Sequence, residues 1–228
     1  MNQVRPDQSL QQFQSGVAAM YGLADDRHYS IFDLLTQLQR FTMRVLKGIR
    51  KGDDEKLRTN LLISCTWLMA IANRLHINVE DQVWERFPAL CSYCGLAPCK
   101  CKKIHPEKRA EIKPDHSQRP ANIKGFQEMF RSVYPPESRT LLDAGVHLAE
   151  ETGEVSEAIH NFLGQHLQKQ FDEIEKEIAD YVSCLFGVAN SASIDIAPAL
   201  HDMFKDGCHV CHRTPCTCTF SEVTAFRS

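Results

Sequence analysis

The chain has 228 residues, 43% of them hydrophobic and 24% charged, with a formal net charge of -3, a composition suited to one large globular domain or two small ones. That charge argues against a general nucleic-acid coat. The N-terminal MNQVRPDQSLQQFQ has no apolar core of signal-peptide length, and no window reaches the roughly 18 apolar residues of a membrane span. The expectation is a soluble, cytoplasmic protein without a membrane partner.

In chain order, residues 40–56 are rich in basic side chains (Arg40, Arg44, Lys47, Arg50, Lys51, Lys56), and Leu57 to Leu75 reads as a largely apolar helix containing Trp67 and Met69. Cys91, Cys94, Cys99 and Cys101 then form C-x2-C-x4-C-x-C. Residues 102–120 are charged, contain Pro106, Pro114 and Pro120, and lack apolar periodicity, the signature of a linker. Leu148, Val155, Ala158, Ile159 and Phe162 make one apolar helical stripe. Glu173 to Asn190 makes a second helix, polar at its start and almost wholly apolar from Tyr181 to Ala189. The chain closes with a second C-x2-C-x4-C-x-C, Cys208, Cys211, Cys216 and Cys218. No stretch alternates like a strand.

Four thiolates at this spacing suit one tetrahedral Zn²⁺ with no open coordination position, so two structural zinc sites are expected, each capping its own half. Redox roles rank lower. His209 and His212 read as spectators, and Cys65 and Cys184, in apolar runs, as core residues.

The two clusters stand 117 positions apart, an offset that also pairs AIAN (70–73) with GVAN (187–190) and Ile77 with Ile194. With small slips, Phe13, Gln14 and Tyr21 pair with Phe126, Gln127 and Tyr134, and Asp33, Leu38, Val45 and Ile49 with Asp143, Leu148, Val155 and Ile159. The ordered series reads as a duplication: a first unit at 1–101 with its knuckle at 91–101, a linker at 102–120, and a second unit at 121–228 with its knuckle at 208–218.

Only the second unit carries an acid constellation. Glu150, Glu151 and Glu154 fall within about a 100° arc of one helix, with no Lys or Arg between His147 and Asn161. Glu177 and Asp180 share a face of the next helix, where it turns apolar. Carboxylates entering a core protonate or find a cation, and a hard divalent ion such as Mg²⁺ or Mn²⁺ takes such oxygens. In the first unit the corresponding positions are Arg40, Phe41, Arg44, Asn60 and Ile63, so the site is lost there. That unit reads as a scaffold; the sharper alternative has Arg40 and Arg44 contact an anion.

E-E-x-x-E (150–154) followed by E-x-x-D (177–180), within LAEETGEVSEA and EIADYV, resembles the MazG-like all-α nucleoside-triphosphate pyrophosphohydrolases, well over residues 122–206 and weakly over 10–90. The resemblance implies four-helix bundles arranged as a pseudo-dimer. It also implies Mg²⁺ ligation by Glu150, Glu151, Glu154, Glu177 and Asp180, and cleavage of an NTP or dNTP to the monophosphate and pyrophosphate. Glu151, with Glu154, is the candidate general base. Asn190, if not simply a helix C-terminal residue, and Lys176 are candidates for holding the phosphates. A homodimer is an open partner expectation and nucleic acid a less favoured one. The competing function is a non-catalytic nucleotide sensor that recruits protein or nucleic acid through the knuckles.

Overall fold

The computed structural model describes residues 4–226; the outermost ends of the two expected units, 1–3 and 227–228, lie outside them. The fold is all-α, with no strand among the described residues. Helices α1 (Leu10–His28), α2 (Ile31–Lys51), α3 (Asp54–Arg74) and α4 (Val79–Arg86) precede the first cysteine cluster, and the one-turn α5 (Cys101–Ile104) ends it. Helices α6 (Ile123–Val133), α7 (Leu141–Gln165), α8 (Gln168–Ser191) and α9 (Ile196–Phe204) precede the second, and a short α10 (Phe220–Ala225) follows.

Local signals set the helix ends. Ser9, Ser30 and Thr140 close capping boxes with Gln12, Asp33 and Asp143, satisfying backbone donors that the first turn leaves free. Gly52 at φ 64° terminates α2 in the left-handed region, where a Cβ is unfavourable. The α2–α3 and α7–α8 hairpins then pack on each other, α2 against α7 and α3 against α8, as a central four-helix bundle. At Gly48 a Cβ would stand 2.9 Å from the Leu57 nitrogen, so glycine permits the close approach of α2 to α3. A buried hydrogen bond between Thr42 Oγ1 and Tyr181 OH (3.0 Å) ties the two hairpins together inside the bundle.

One hydrogen-bond pattern occurs twice. Gln14 on α1 donates to Asn73 Oδ1 (3.0 Å) and the Ile77 carbonyl (2.7 Å) and accepts from the Val79 N–H (3.0 Å). Gln127 on α6 donates to Asn190 Oδ1 (3.1 Å) and the Ile194 carbonyl (2.7 Å) and accepts from the Ile196 N–H (2.9 Å). Each buried glutamine thereby closes the turn between the long second hairpin helix and the short helix after it.

The short elements cross over. Helix α4 packs on α8, and α9 reaches α3. The expectation that each knuckle caps its own half is corrected: the Cys99 N–H donates to the Val133 carbonyl of α6 (2.8 Å), and the Cys216 N–H to the Met20 carbonyl of α1 (2.7 Å). Each cluster docks on the opposite half's first helix, the first at the C-terminal end of α6 and the second midway along α1. The stretch expected as a bare linker is also tied down, with Arg119 paired to Glu80 (2.8 Å) and Asp81 (2.6 Å). No single described helix is long and apolar enough to cross a membrane; α8 and α9 qualify by length and composition only as a pair, bent by 97°.

Candidate metal and phosphate site

The α7–α8 hairpin brings its acids together. Helix α7 carries Glu151 one turn from Glu154, and α8, antiparallel to it, carries Glu177 and Asp180 on the facing side. One carboxylate oxygen each from Glu151, Glu177 and Asp180 lies within 4.8 Å of the others. Glu154 is exposed, and its charge acts on Glu177. Glu150 is exposed at the outer edge and outside the close group. Three of the five expected ligands thus form the core, with Glu154 adjoining.

The cluster is electrostatically tense. Burial, then the charges of Asp180, Glu154 and Glu177, pushes the Glu151 carboxyl up to about 8, against the pull of Arg86. Burial and the charges of Asp180 and Glu154 push Glu177 up to about 7. Oε2 of both residues is buried without a hydrogen-bond partner, an expensive state for a carboxylate. Orphaned, mutually repelling hard oxygens on facing helices suit a divalent cation in donor type and charge.

Sequence reasoning did not find Arg86. It ends α4 in the first half, yet its Nε (3.1 Å) and Nη2 (2.5 Å) both donate to the Asp180 carboxylate, with each side chain at most 15% exposed. Burial disfavours the Arg86 charge, but the bonds and charge of Asp180, with Glu177 and Glu173 behind it, outweigh this and raise its pKa. A signal existed: at the 117 offset Arg86 corresponds to Met203, so the half without the acids carries an arginine where the other does not.

The two expected phosphate contacts have partners within the chain. The Asn190 amide is buried, accepting from Gln127 Nε2 (3.1 Å) and Arg131 Nη2 (3.4 Å) and donating to the Gln127 backbone carbonyl (3.2 Å). Asn73 makes the same pair of bonds with Gln14 in the half without acids, so the glutamine pairing by itself does not require a substrate site. Lys176 pairs with Glu173 on the helix surface (2.7 Å).

Where the acids are replaced, Phe41 and Ile63 line a largely apolar cavity with Tyr29, Trp67, Phe220 and Phe226. Arg40 (2.7 Å) and Arg44 (3.3 Å) both donate to the Phe226 carbonyl. The chain's own C-terminal segment thus meets these guanidiniums at the position that the carboxylates hold in the other half.

The knuckles have thiolate-site geometry. Sγ atoms lie 3.7 Å (Cys91–Cys101) and 4.0 Å (Cys94–Cys99) apart in the first, and 3.9 Å (Cys208–Cys218) and 3.8 Å (Cys211–Cys216) in the second. Tetrahedral Zn–S bonds of about 2.3 Å set sulfurs ~3.8 Å apart. Backbone N–H groups of Tyr93, Lys100, Val210 and Cys218 point at these sulfurs at 3.4 Å. Burial raises the Cys94 and Cys211 pKa values, but backbone donors and neighbouring thiols outweigh it, bringing them down to about 7 and about 6. Each cluster is faced by a tyrosine from the opposite half, Tyr134 at Cys91 and Tyr21 at Cys208.

No curated protein and no solved structure matches the chain. Residues 139–211, which hold both acidic helices, Arg139 and the first two cysteines of the second knuckle, match the MazG nucleotide pyrophosphohydrolase domain.

Proposed function

We propose that the protein is a Mg²⁺-dependent nucleotide pyrophosphohydrolase, cleaving an NTP or dNTP to the monophosphate and pyrophosphate. The observation that carries this reading is the Glu151–Glu177–Asp180 cluster, with its orphaned buried oxygens, lying inside the segment that matches the MazG domain. Glu151, Glu177 and Asp180 hold the cation, with Glu150 and Glu154 at its rim. When bound, Mg²⁺ or Mn²⁺ supplies charge neutralisation for the phosphate oxygens at the scissile anhydride. Of the chain's own groups, Glu151 or Glu154 accepts the proton of the attacking water, and Arg86 holds Asp180 in a fixed rotamer by its two-point bond.

The first unit, residues 1–101, is on this reading a duplicated copy without a site of its own. It serves the second, 121–228, as bundle partner and as donor of Arg86, so one chain makes a pseudo-dimer. The two cysteine clusters hold structural zinc.

The test is to incubate the purified, zinc-loaded chain with each NTP and dNTP in Mg²⁺ and identify the products. Pyrophosphate and monophosphate are expected, lost in Glu177→Gln and Asp180→Asn. No turnover of any nucleotide, or turnover undiminished in both variants, refutes the assignment.

A further inference from the structure

Among the half-buried arginines, Arg86 meets Asp180, Arg119 meets Glu80 and Asp81, Arg74 meets Asp26, and Arg40 and Arg44 donate to the Phe226 carbonyl. Arg139 is different. It lies in the loop before α7, and its guanidinium crosses the face of α8 directly over Gly187, where a Cβ would collide with Nη2. Its Cζ stands 5.9 Å from the centre of the Tyr134 ring. Nε is buried without a partner, and among the described residues no ion pair or hydrogen bond engages the side chain. Holding a guanidinium against a helix without an anion is costly.

Its location gives the charge a use. Gly187 follows Asp180 by seven residues, two turns along nearly the same face and about 10 Å away. Cys184 lies between them, and its thiol is under the influence of Glu151, Arg139 and Asp180 together. The acids and Arg139 therefore border one strip of α8, anionic at one end and cationic at the other, over a span a triphosphate can bridge. The first half has neither member of the pair. Tyr29 stands before the α2 N-cap as Arg139 stands before that of α7, packed on Trp67 (5.5 Å), and Ala70 takes the place of Gly187. Arginine and the glycine that makes room for it occur only beside the acids.

We propose that Arg139 is a substrate-binding residue, contacting phosphate oxygens of the nucleotide beyond those held at the carboxylate cluster. The proposal rests on the pyrophosphohydrolase reading, and its test is binding rather than turnover. Inorganic tripolyphosphate and a nucleoside monophosphate are titrated calorimetrically, in Mg²⁺, into the full zinc-loaded chain and its variants. Arg139→Ala is expected to weaken tripolyphosphate about 10-fold or more, the scale of a lost charge-assisted contact, and to leave the monophosphate unchanged; Arg139→Lys recovers part. Gly187→Ala, which keeps the charge but displaces the guanidinium, weakens tripolyphosphate in the same direction and decides the matter should Arg139→Ala not fold. The proposal is overturned if the wild type binds no tripolyphosphate, if both variants bind it as the wild type does, or if the monophosphate weakens equally. Wild-type binding through Arg139 with no hydrolysis of any nucleotide sinks the enzymatic reading and leaves the phosphate contact standing.

Discussion

Glu151 makes the fold weaker when no cation is present, and the size of that effect follows from the site. Its carboxyl ionises near 4.5 in the unfolded chain but only at about 8 among Asp180, Glu154 and Glu177. Between those two pH values the unfolded chain is charged at this position while the native state keeps its proton. The unfolded state then binds fewer protons, and stability falls as pH rises by up to ~1.4 kcal/mol per pH unit, the whole penalty being present above pH 8. Partial exposure screens this, leaving about 1–2 kcal/mol. Glu151→Gln keeps the volume and removes the charge. Without added divalent cation, and with no chelator so that zinc stays bound, the variant should melt about 2–8 °C above the wild type at pH 8 and near it at pH 5. Added Mg²⁺ should raise the wild-type midpoint more than that of the variant, and the variant should lose hydrolysis. The measurement is a thermal melt followed by circular dichroism across that pH range. A variant no more stable than the wild type at pH 8 would refute the view that Glu151 is a strained, cation-seeking carboxylate.

Arg86→Met, which installs the residue found at the corresponding Met203, leaves Asp180 partly buried and unpaired. It should cost about 1–3 kcal/mol in denaturant unfolding and lower kcat, and unchanged stability and kinetics would exclude a role for the first half in the site. Asn190→Ala and Asn73→Ala should each lose about 1–3 kcal/mol from their matching buried networks with KM for nucleotide unaltered; a KM increase confined to Asn190→Ala would restore it as a phosphate contact. Elemental analysis should find two zinc ions per chain, falling to one in Cys91→Ser and in Cys208→Ser. Because each knuckle docks on the opposite half, either loss should lower the melting temperature of the whole bundle in a single transition.

The sequence by itself determined the helices, the acid pattern and the two metal-type clusters, because these are written in local spacing. Capping residues, a 3.6-residue apolar period and cysteines a few positions apart declare themselves within one turn or one loop. It also showed that the aligned positions of the first half, Arg40, Phe41, Arg44, Asn60 and Ile63, carry no acids. It did not disclose that Glu151, Glu177 and Asp180 form the tight group while Glu150 stays outside, as that depends on the rotation of α7 against α8. Nor could spacing assign Asn190 to Gln127, 63 positions away, or decide which half each knuckle would dock on. Arg86 and Arg139 were the largest omissions. Arg86 lies 94 positions from Asp180 and reaches it only because α4 crosses onto α8. Arg139 gains significance from what is missing around it, a carboxylate partner and a Cβ on Gly187, and such absences acquire meaning only once the helices are packed.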